Sequence, residues 1–290
     1  MKLFTIRKDQ NECVAVENKE GKLVTLESLG ISVRDMNDII VRFEDLKDSI
    51  VNGLDSAVDK ALSEDDYTIL APVPVPMQDV ICLGVNYNSH IEETVDVLDF
   101  TKKKDAVYFA KRVNRANDPG GVIPYYDFVD SLDYEVELGV VLSKDAFRVS
   151  AEDAADYILG YTIINDVSAR NLQKRHQQWY LGKSLDGYTP MGPCIVTADE
   201  IGNAHDLTIE CYVNGEKRQS SNTALMITSA EEAISELSQG MTLKAGTIIA
   251  TGTPGGVGMG MTPPVFLKKG DVIRCEIGKI GILENVVDKN

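Results

Sequence analysis

Long apolar runs are missing from this 290-residue chain. The stretch around Val140–Leu142 falls far short of the roughly 20 residues that span a bilayer, and the opening MKLFTIRKDQ has no apolar leader core. Membrane insertion and secretion are excluded on that reading, and the expected compartment is the cytoplasm. Cysteine is scarce too. The five (Cys13, Cys82, Cys194, Cys211, Cys275) are odd in number, widely spaced and without a CxxC pair. That argues against a disulfide framework or a zinc ribbon and leaves them as small buried apolar residues. Positive charge is also short: 29 Lys and Arg stand against 45 Asp and Glu, a net charge of −16, with no basic run beside aromatic residues. Nucleic acid and anionic membrane surfaces are poor partners for such a chain.

What is present is an ordinary globular composition, 43% hydrophobic and 26% charged, without low-complexity tracts. The length suits one large domain, alone or with a small appendage. Two β-type runs, Phe4–Arg7 and Cys13–Glu17, lead through the turn Asn18-Lys19-Glu20-Gly21 to a third, Leu23–Leu26. Residues 34–62 then carry Ile39, Ile40, Phe43, Leu46 and Ile50 at helical spacing. Residues 1–71 thus read as a small α/β appendage, closed by the proline-stiffened connector Pro72-Val73-Pro74-Val75-Pro76.

From Met77 to the end, strands dominate: Val80–Val85, Tyr134–Leu142, Ile158–Asn165, Pro193–Thr197, Leu207–Val213, Thr247–Thr251, Asp271–Ile277 and Ile282–Val287, with Asn214-Gly215 as a two-residue hairpin turn. Helices are few. A capping box at Ser229 and Glu232 opens one that Gly240 closes; Ser150 is expected to open another through Ala155 and Ile158. Strands this frequent with helical crossovers this rare give a mainly β domain over 77–290, a largely antiparallel roll or sandwich.

Several stretches could carry chemistry. In DYEVELGVVL, Glu135 and Glu137 project to one face of a strand, about 7 Å apart at two steps of a ~3.3 Å rise. Alone this is equally a wet acidic strand face, but the strand runs on into Val140, Val141 and Leu142, which suits burial on both faces. Two like charges there repel unless a cation lies between them. Asp166 closes the β-branched run GYTIIND and is either a plain turn residue or a third ligand. An all-oxygen set of Glu135, Glu137 and Asp166 suits Mg²⁺ or Mn²⁺ rather than zinc.

In GVNYNSHIEE, Ser89 and Glu92 resemble a capping box, placing His90 in a first helical turn with Glu93 three residues on. A carboxylate so placed orients an imidazole as a general base; a solvated helix start is the plain alternative. His176 and His205 are expected at the surface. Gly182-Lys183-Ser184 lacks the upstream glycine of a phosphate loop, so Lys183 is either a desolvated cation or a snorkelling one. ATGTPGGVGMG fails the dinucleotide spacing and remains a tight loop whose N–H groups and Thr253 hydroxyl suit an anion, or a merely structural turn.

The order of these stretches is more specific than any one of them. The series GVNYNSHIEE, DYEVELGVV, GYTIINDVSARNLQ, GKSLDGYTPMGP, VNGEKRQSSNT and TGTPGGVG resembles the fumarylacetoacetate hydrolase family from Met77 to Val287. The resemblance implies a mixed β-roll catalytic domain, commonly a homodimer, that binds Mg²⁺ or Mn²⁺ through Glu135, Glu137 and Asp166. It implies a water-activating pair, His90 and Glu93, on a lid, with Lys183 as the catalytic cation. Substrate contacts are expected from Tyr87, Arg170, Gln173, Lys183 and Thr253. Some larger members have Asp where this chain has Asn86 before Tyr87, and the resemblance thereby points to the smaller acylpyruvase-like branch.

The expected reaction is metal-dependent hydrolysis of a C–C bond in a 2,4-dioxo acid such as fumarylpyruvate or acetylpyruvate, releasing pyruvate. The same enolate chemistry suits an oxaloacetate decarboxylase or a 2-hydroxymuconate-type isomerase or hydratase, and a non-catalytic oxoacid-binding protein is the alternative of another class. An anionic substrate approaching a chain of charge −16 needs a locally positive site, from the metal, Lys183 and a choice of Arg170, Lys111 or Arg112.

Overall fold

The computed structural model describes residues 1–55, 57, 60–98 and 105–288. The chain opens with β1 (Lys2–Lys8), β2 (Asn11–Glu17) and β3 (Leu23–Thr25), followed by α1 (Met36–Asp55), β4 (Thr68–Ile69), β5 (Val80–Gly84), α2 (Asn88–Leu98) and β6 (Val107–Lys111). Then come β7 (Val122–Pro124), β8 (Leu132–Asp133), β9 (Val136–Leu142), β10 (Ile158–Asn165) and β11 (Ser168–Ala169). Two short helices, α3 (Arg170–Arg175) and α4 (Tyr180–Lys183), precede β12 (Met191–Thr197), α5 (Ala198–Ile201), β13 (Thr208–Val213) and β14 (Glu216–Asn222). The chain closes with α6 (Ala230–Ser238), β15 (Ile248–Ala250), β16 (Val272–Ile277) and β17 (Gly281–Asp288).

These strands form a ten-stranded sheet in the order β3-β2-β1-β12-β10-β9-β15-β5-β6, with β4 beside β1, and a five-stranded sheet in the order β14-β13-β16-β17-β7. A two-stranded ribbon joins β8 and β11. The protein is mainly β with mixed sheets, as the strand-rich pattern implies: β15 runs parallel to β5 and β17 parallel to β7, and the remaining pairs are antiparallel.

Side-chain alternation divides the core. On β9, Val136, Leu138, Val140 and Leu142 share a core with Ile209, Cys211, Ile273 and Cys275 of the smaller sheet, while Val141 faces Ile39, Ile40 and Phe43 of α1. Helix α1 therefore covers one face of the large sheet and the small sheet covers the other, and every residue of β9 is buried. The apolar spacing of 34–62 is real over Met36–Asp55; residues 56, 58 and 59 of that span lie outside the described ones. Asn214 and Gly215 both take positive φ, 52° and 80°, which matches the right-handed twist of the β13–β14 hairpin.

The N-terminal strands join the main sheet, since β1 pairs with β12 through Lys2–Val196 and Leu3–Ile195. The proline connector is packed in place: Ala71 and Val73 are fully buried, and Ala116 N–H donates to the Pro74 carbonyl at 2.8 Å.

Two helix expectations need correction. Ser150 opens only a hydrogen-bonded turn onto Asp153, followed by a 3₁₀ turn over Ala154–Tyr157, and Ile158 already belongs to β10. Its β-branched, fully buried run wins over the capping signal. Ser89 caps no helix either, because α2 starts at Asn88 and the Ser89 hydroxyl accepts from Gly255 N–H at 3.1 Å.

Candidate active site

Three carboxylates meet where β9 begins and β10 ends. These strands pair antiparallel with Asn165 opposite Val136, and Asp166 N–H donates to the Glu135 carbonyl at 2.8 Å. The residue before β9, its second residue and the residue after β10 are thereby brought together. Glu135, Glu137 and Asp166 each offer one oxygen within 4.8 Å of the others, and all three are buried. The alternative of a wet acidic strand face is overturned.

Buried cations stand against them. Lys183 Nζ donates to Glu135 Oε2, and to Asp166 Oδ2 at 2.7 Å, so it is the desolvated cation and not a snorkelling one. Lys111 Nζ, fully buried, donates to Asp166 Oδ1, to the Tyr188 carbonyl at 2.9 Å and to the Val167 carbonyl at 3.3 Å. Arg170 donates through Nη2 to Glu135 Oε1 at 2.6 Å, through Nε to Asp133 Oδ2 at 2.9 Å and through Nη1 to Gln173 Oε1 at 3.0 Å. Arg112 lies at the surface against Asp79 and contributes nothing to the site.

Glu137 is the exception. Among the described residues no Lys or Arg forms an ion pair with it, and its one hydrogen-bond donor is Gly252 N–H at 2.8 Å. Burial, then Asp166 and Glu135, push its carboxyl well above the usual carboxylate range. Burial would raise Glu135 as well, but Arg170 and Lys183 outweigh it and hold that carboxyl well below the usual range. Counting Asp133, four buried carboxylates face three buried cations, and the deficit sits on Glu137. A divalent ion bound there would supply the missing counter-charge and turn the sum over these groups positive. The oxygen-only donor set fits Mg²⁺ or Mn²⁺.

Helix α2 brings a histidine to the triad. His90 Nδ1 lies 2.8 Å from Glu93 Oε1, one helical turn on, and the ring is 4% exposed, which rules out the solvated helix start. The chain reaches α2 through Val85, a β-branched residue at φ 51°, a strained conformation of the kind that concentrates at functional sites. Asn86 turns its amide to the Thr228 and Thr251 carbonyls and to Thr228 N–H, each at 2.8 Å. It is a loop fastener.

The glycine-rich loop after β15 does meet carboxylates, but they are the protein's own. Gly252 N–H serves Glu137, Gly256 N–H serves Glu93 at 2.7 Å, and Gly258 and Met259 N–H serve Asp133 at 2.8 and 2.9 Å. Thr253 is buried, donating to the Val136 carbonyl at 2.9 Å and accepting from Gln219 Nε2 at 2.7 Å. These donors are thus committed, which corrects the expectation of a loop open to an external anion.

A cavity of about 20 Å³ lies between the groups. Glu135, Glu137, His90, Gln173 and Lys183 line it together with an apolar wall that includes Phe109 and Trp179; Thr253 and Arg170 also reach it. Because Arg170 occupies the Gln173 oxygen, the Gln173 amide N–H₂ is the end left for a ligand. Tyr87 does not line this cavity: it is 1% exposed, with a hydroxyl that has no hydrogen-bond partner among the described residues. Sequence reasoning missed Asp133, whose four acceptor contacts are all long-range or backbone, and Trp179, whose only sequence cue was an apolar neighbourhood before Lys183.

A buried carboxylate triad that could hold a hard cation faces a hydrogen-bonded His–Glu pair at the end of a β-sheet. The chain matches the fumarylacetoacetate (FAA) hydrolase C-terminal family over residues 79–288 and belongs to the fumarylacetoacetate hydrolase family. It is 47% identical over 218 residues to the oxaloacetate tautomerase YisK of Bacillus subtilis, covering 75% of this chain and 72% of that one. With the mitochondrial oxaloacetate tautomerase FAHD2A of Homo sapiens it shares 40% over 228 residues, 78% and 71% of the two chains.

Among solved structures it superposes on a fumarylacetoacetate hydrolase from Exiguobacterium antarcticum with a TM-score of 0.86 at 38% identity, covering all of both chains. It also matches the maleylpyruvate hydrolase of Sphingobium, solved with manganese and pyruvate, with a TM-score of 0.80 at 25% identity, over all of both chains. Members of the family are enzymes acting on small oxoacids, by tautomerisation in some relatives and hydrolysis in others. Among the described residues no helix is long and apolar enough to cross a membrane.

Proposed function

We propose that the protein is a divalent-metal-dependent keto–enol tautomerase of a short 2-oxo acid, with oxaloacetate as the first candidate. The observation that carries this reading is the single uncommitted base in the cavity. The Nδ1 of His90 is engaged by Glu93, which leaves Nε2 as its free proton acceptor, while every other titratable group there is paired or belongs to the triad. One such base suffices to move a proton between C3 and the neighbouring oxygen. The names of the relatives supply the substrate class.

Glu135, Glu137 and Asp166 would hold Mg²⁺ or Mn²⁺, which when bound polarises the 2-oxo group and raises the acidity at C3. The chain's own residues do the rest. Lys183 and the Gln173 amide present N–H groups to the oxygen on which charge develops. His90 Nε2 takes the proton from C3, and Glu93 steadies the imidazolium. The apolar wall of Phe109 and Trp179 keeps bulk water from the enolate. The cavity has room for roughly one water by the usual ~10–15 Å³ requirement, so a 2-oxo acid requires it to widen. Tautomerisation, unlike hydrolysis, needs no second molecule held beside the substrate.

Hydrolysis of an acylpyruvate is the second reading, favoured by the likeness to the maleylpyruvate hydrolase and by a His–Glu pair that can equally activate water. The test follows the enol form of oxaloacetate by ultraviolet absorbance with Mg²⁺, Mn²⁺ or EDTA, beside a panel of acylpyruvates scored for pyruvate. Tautomerase activity predicts metal-dependent loss of the enol without pyruvate, reduced about 10²–10⁴-fold in His90→Ala. Pyruvate released from an acylpyruvate with no acceleration of enol decay would replace this reading with hydrolysis.

A further inference from the structure

We infer that residues 255–260 form a rigid dock that positions the His90–Glu93 pair, and that the missing side chain of Gly260 is what lets the dock work. The inference rests on His90 being the base, whatever the substrate. From the sheet side the loop is held by three bonds. The Tyr134 hydroxyl donates to the Gly256 carbonyl at 2.8 Å, and Asp133 accepts from Gly258 N–H and Met259 N–H. Asp133 also carries Arg170, which contacts Glu135 and Gln173. The loop is therefore fixed to the same group of side chains that frames the metal triad.

Its other side faces α2. Two of its N–H groups are taken by α2 side chains: Gly255 N–H by the Ser89 hydroxyl at 3.1 Å and Gly256 N–H by Glu93 Oε2 at 2.7 Å. Glu93 is thus shared, with one oxygen on the His90 ring and the other on the dock. A carboxylate tethered at both oxygens has a fixed plane, and with it the imidazole has a fixed direction. Placement of this kind matters because a 1 Å error in a reacting group can cost about 10²-fold in rate.

A side chain at each of three glycines would meet a different neighbour. A Cβ at Gly255 would stand 3.1 Å from the Ser89 backbone; at Gly256, where φ is 107°, it would stand 2.0 Å from the Arg218 carbonyl. At Gly260 it would stand 2.6 Å from both Cδ and Oε2 of Glu93 and meet no backbone atom among its nearest neighbours. Gly260 lies in the 3₁₀ turn Gly258–Gly260 without positive φ, so the backbone admits alanine there and the group that must shift to make room is the Glu93 carboxylate. That makes Gly260 a positioning residue whose effect passes through one carboxylate.

The experiment is a cycle of Gly260→Ala and Glu93→Asp in the metal-loaded protein, read by amide hydrogen exchange and by steady-state kinetics on enol-oxaloacetate. In Gly260→Ala, the amides of Gly255, Gly256 and the first turns of α2 are expected to exchange at least about 10-fold faster, with β9 and β10 unchanged. The kcat should fall about 10–100-fold with KM within about twofold. In the Glu93→Asp background, whose carboxylate is drawn back by one methylene, adding Gly260→Ala should cost no more than about threefold.

Unchanged exchange at 255–256 and α2, or equal losses in both backgrounds, overturns the dock. If Gly260→Ala fails to fold, Ser89→Ala is the gentler variant: faster exchange at Gly255 supports the dock and unchanged exchange overturns it. A wild-type protein inactive on every 2-oxo acid would remove the proposed activity, while the exchange comparison still decides the dock.

Discussion

At the scale of the residue, the informative side chain is Glu137. Its neighbours carry counter-charges and it does not, so burial, Asp166 and Glu135 push its carboxyl well above the usual range. Glu137→Gln keeps the acceptor for Gly252 N–H and removes the group that needs a cation. Thermal melts should show the variant at least as stable as the wild type in EDTA, with the Mn²⁺-induced rise in Tm abolished. A wild-type-sized rise in the variant would remove Glu137 from the ligand set. Lys111 gives the opposite case. It fills three acceptors at once, so Lys111→Met should destabilise the protein by about 3–5 kcal/mol in chemical denaturation, the usual cost of orphaning a buried charge partner.

At the scale of the element, β5 and the turn into α4 meet at one point. Gly84 ends β5 directly beneath Trp179, where a Cβ would come within 2.5 Å of the ring, and Trp179 in turn packs edge-on to Phe109 of β6 with centroids 5.1 Å apart. Trp179 is the only tryptophan in the chain and lines the cavity, so it is a built-in reporter. Its fluorescence should be quenched when Mn²⁺ and a 2-oxo acid are added together, and Gly84→Ala should shift its emission without ligand. Unaltered emission in both experiments would mean that the ring does not sit over the site.

The elements were largely legible from residue order because their signals are local. Val136–Leu142 and Ile158–Asn165 announce themselves as buried β-branched runs, and α1 by its repeat of Ile39, Ile40, Phe43, Leu46 and Ile50. Carboxylates at strand ends suggested the triad. What was not legible is which polar groups answer one another across the chain. Ser89 reads as a cap because Glu92 follows three residues later, yet its partner is Gly255, 166 positions away. Asp133 adjoins the metal motif and reads as part of the same acidic stretch; only the folded loop reveals that it binds Gly258, Met259 and Arg170. The glycine loop likewise advertises free N–H groups that folding then assigns to Glu137, Glu93 and Asp133.

At the scale of the whole molecule, two cores share one large sheet, and four of the five cysteines are sealed inside them, Cys13 being half-buried. Burial pushes the Cys194 thiol up to about 12, which keeps it protonated and unreactive through the neutral range. A thiol reagent at neutral pH should therefore modify Cys13 well ahead of the others in the native state and all five in denaturant. Rapid labelling of Cys82 or Cys194 in the native protein would contradict the packing.

The pairing of β1 with β12 reaches beyond architecture. Strand β12 flanks β10, which delivers Asp166, and its other side is closed by Lys2 and Leu3. A fragment trimmed to begin at Met77 would leave that flank as a bare row of amides and carbonyls beside Ile195 and Val196, a surface on which like copies can zip together. The opening seventy residues are in this sense a guard against self-association, and their removal should yield aggregates rather than a smaller working enzyme.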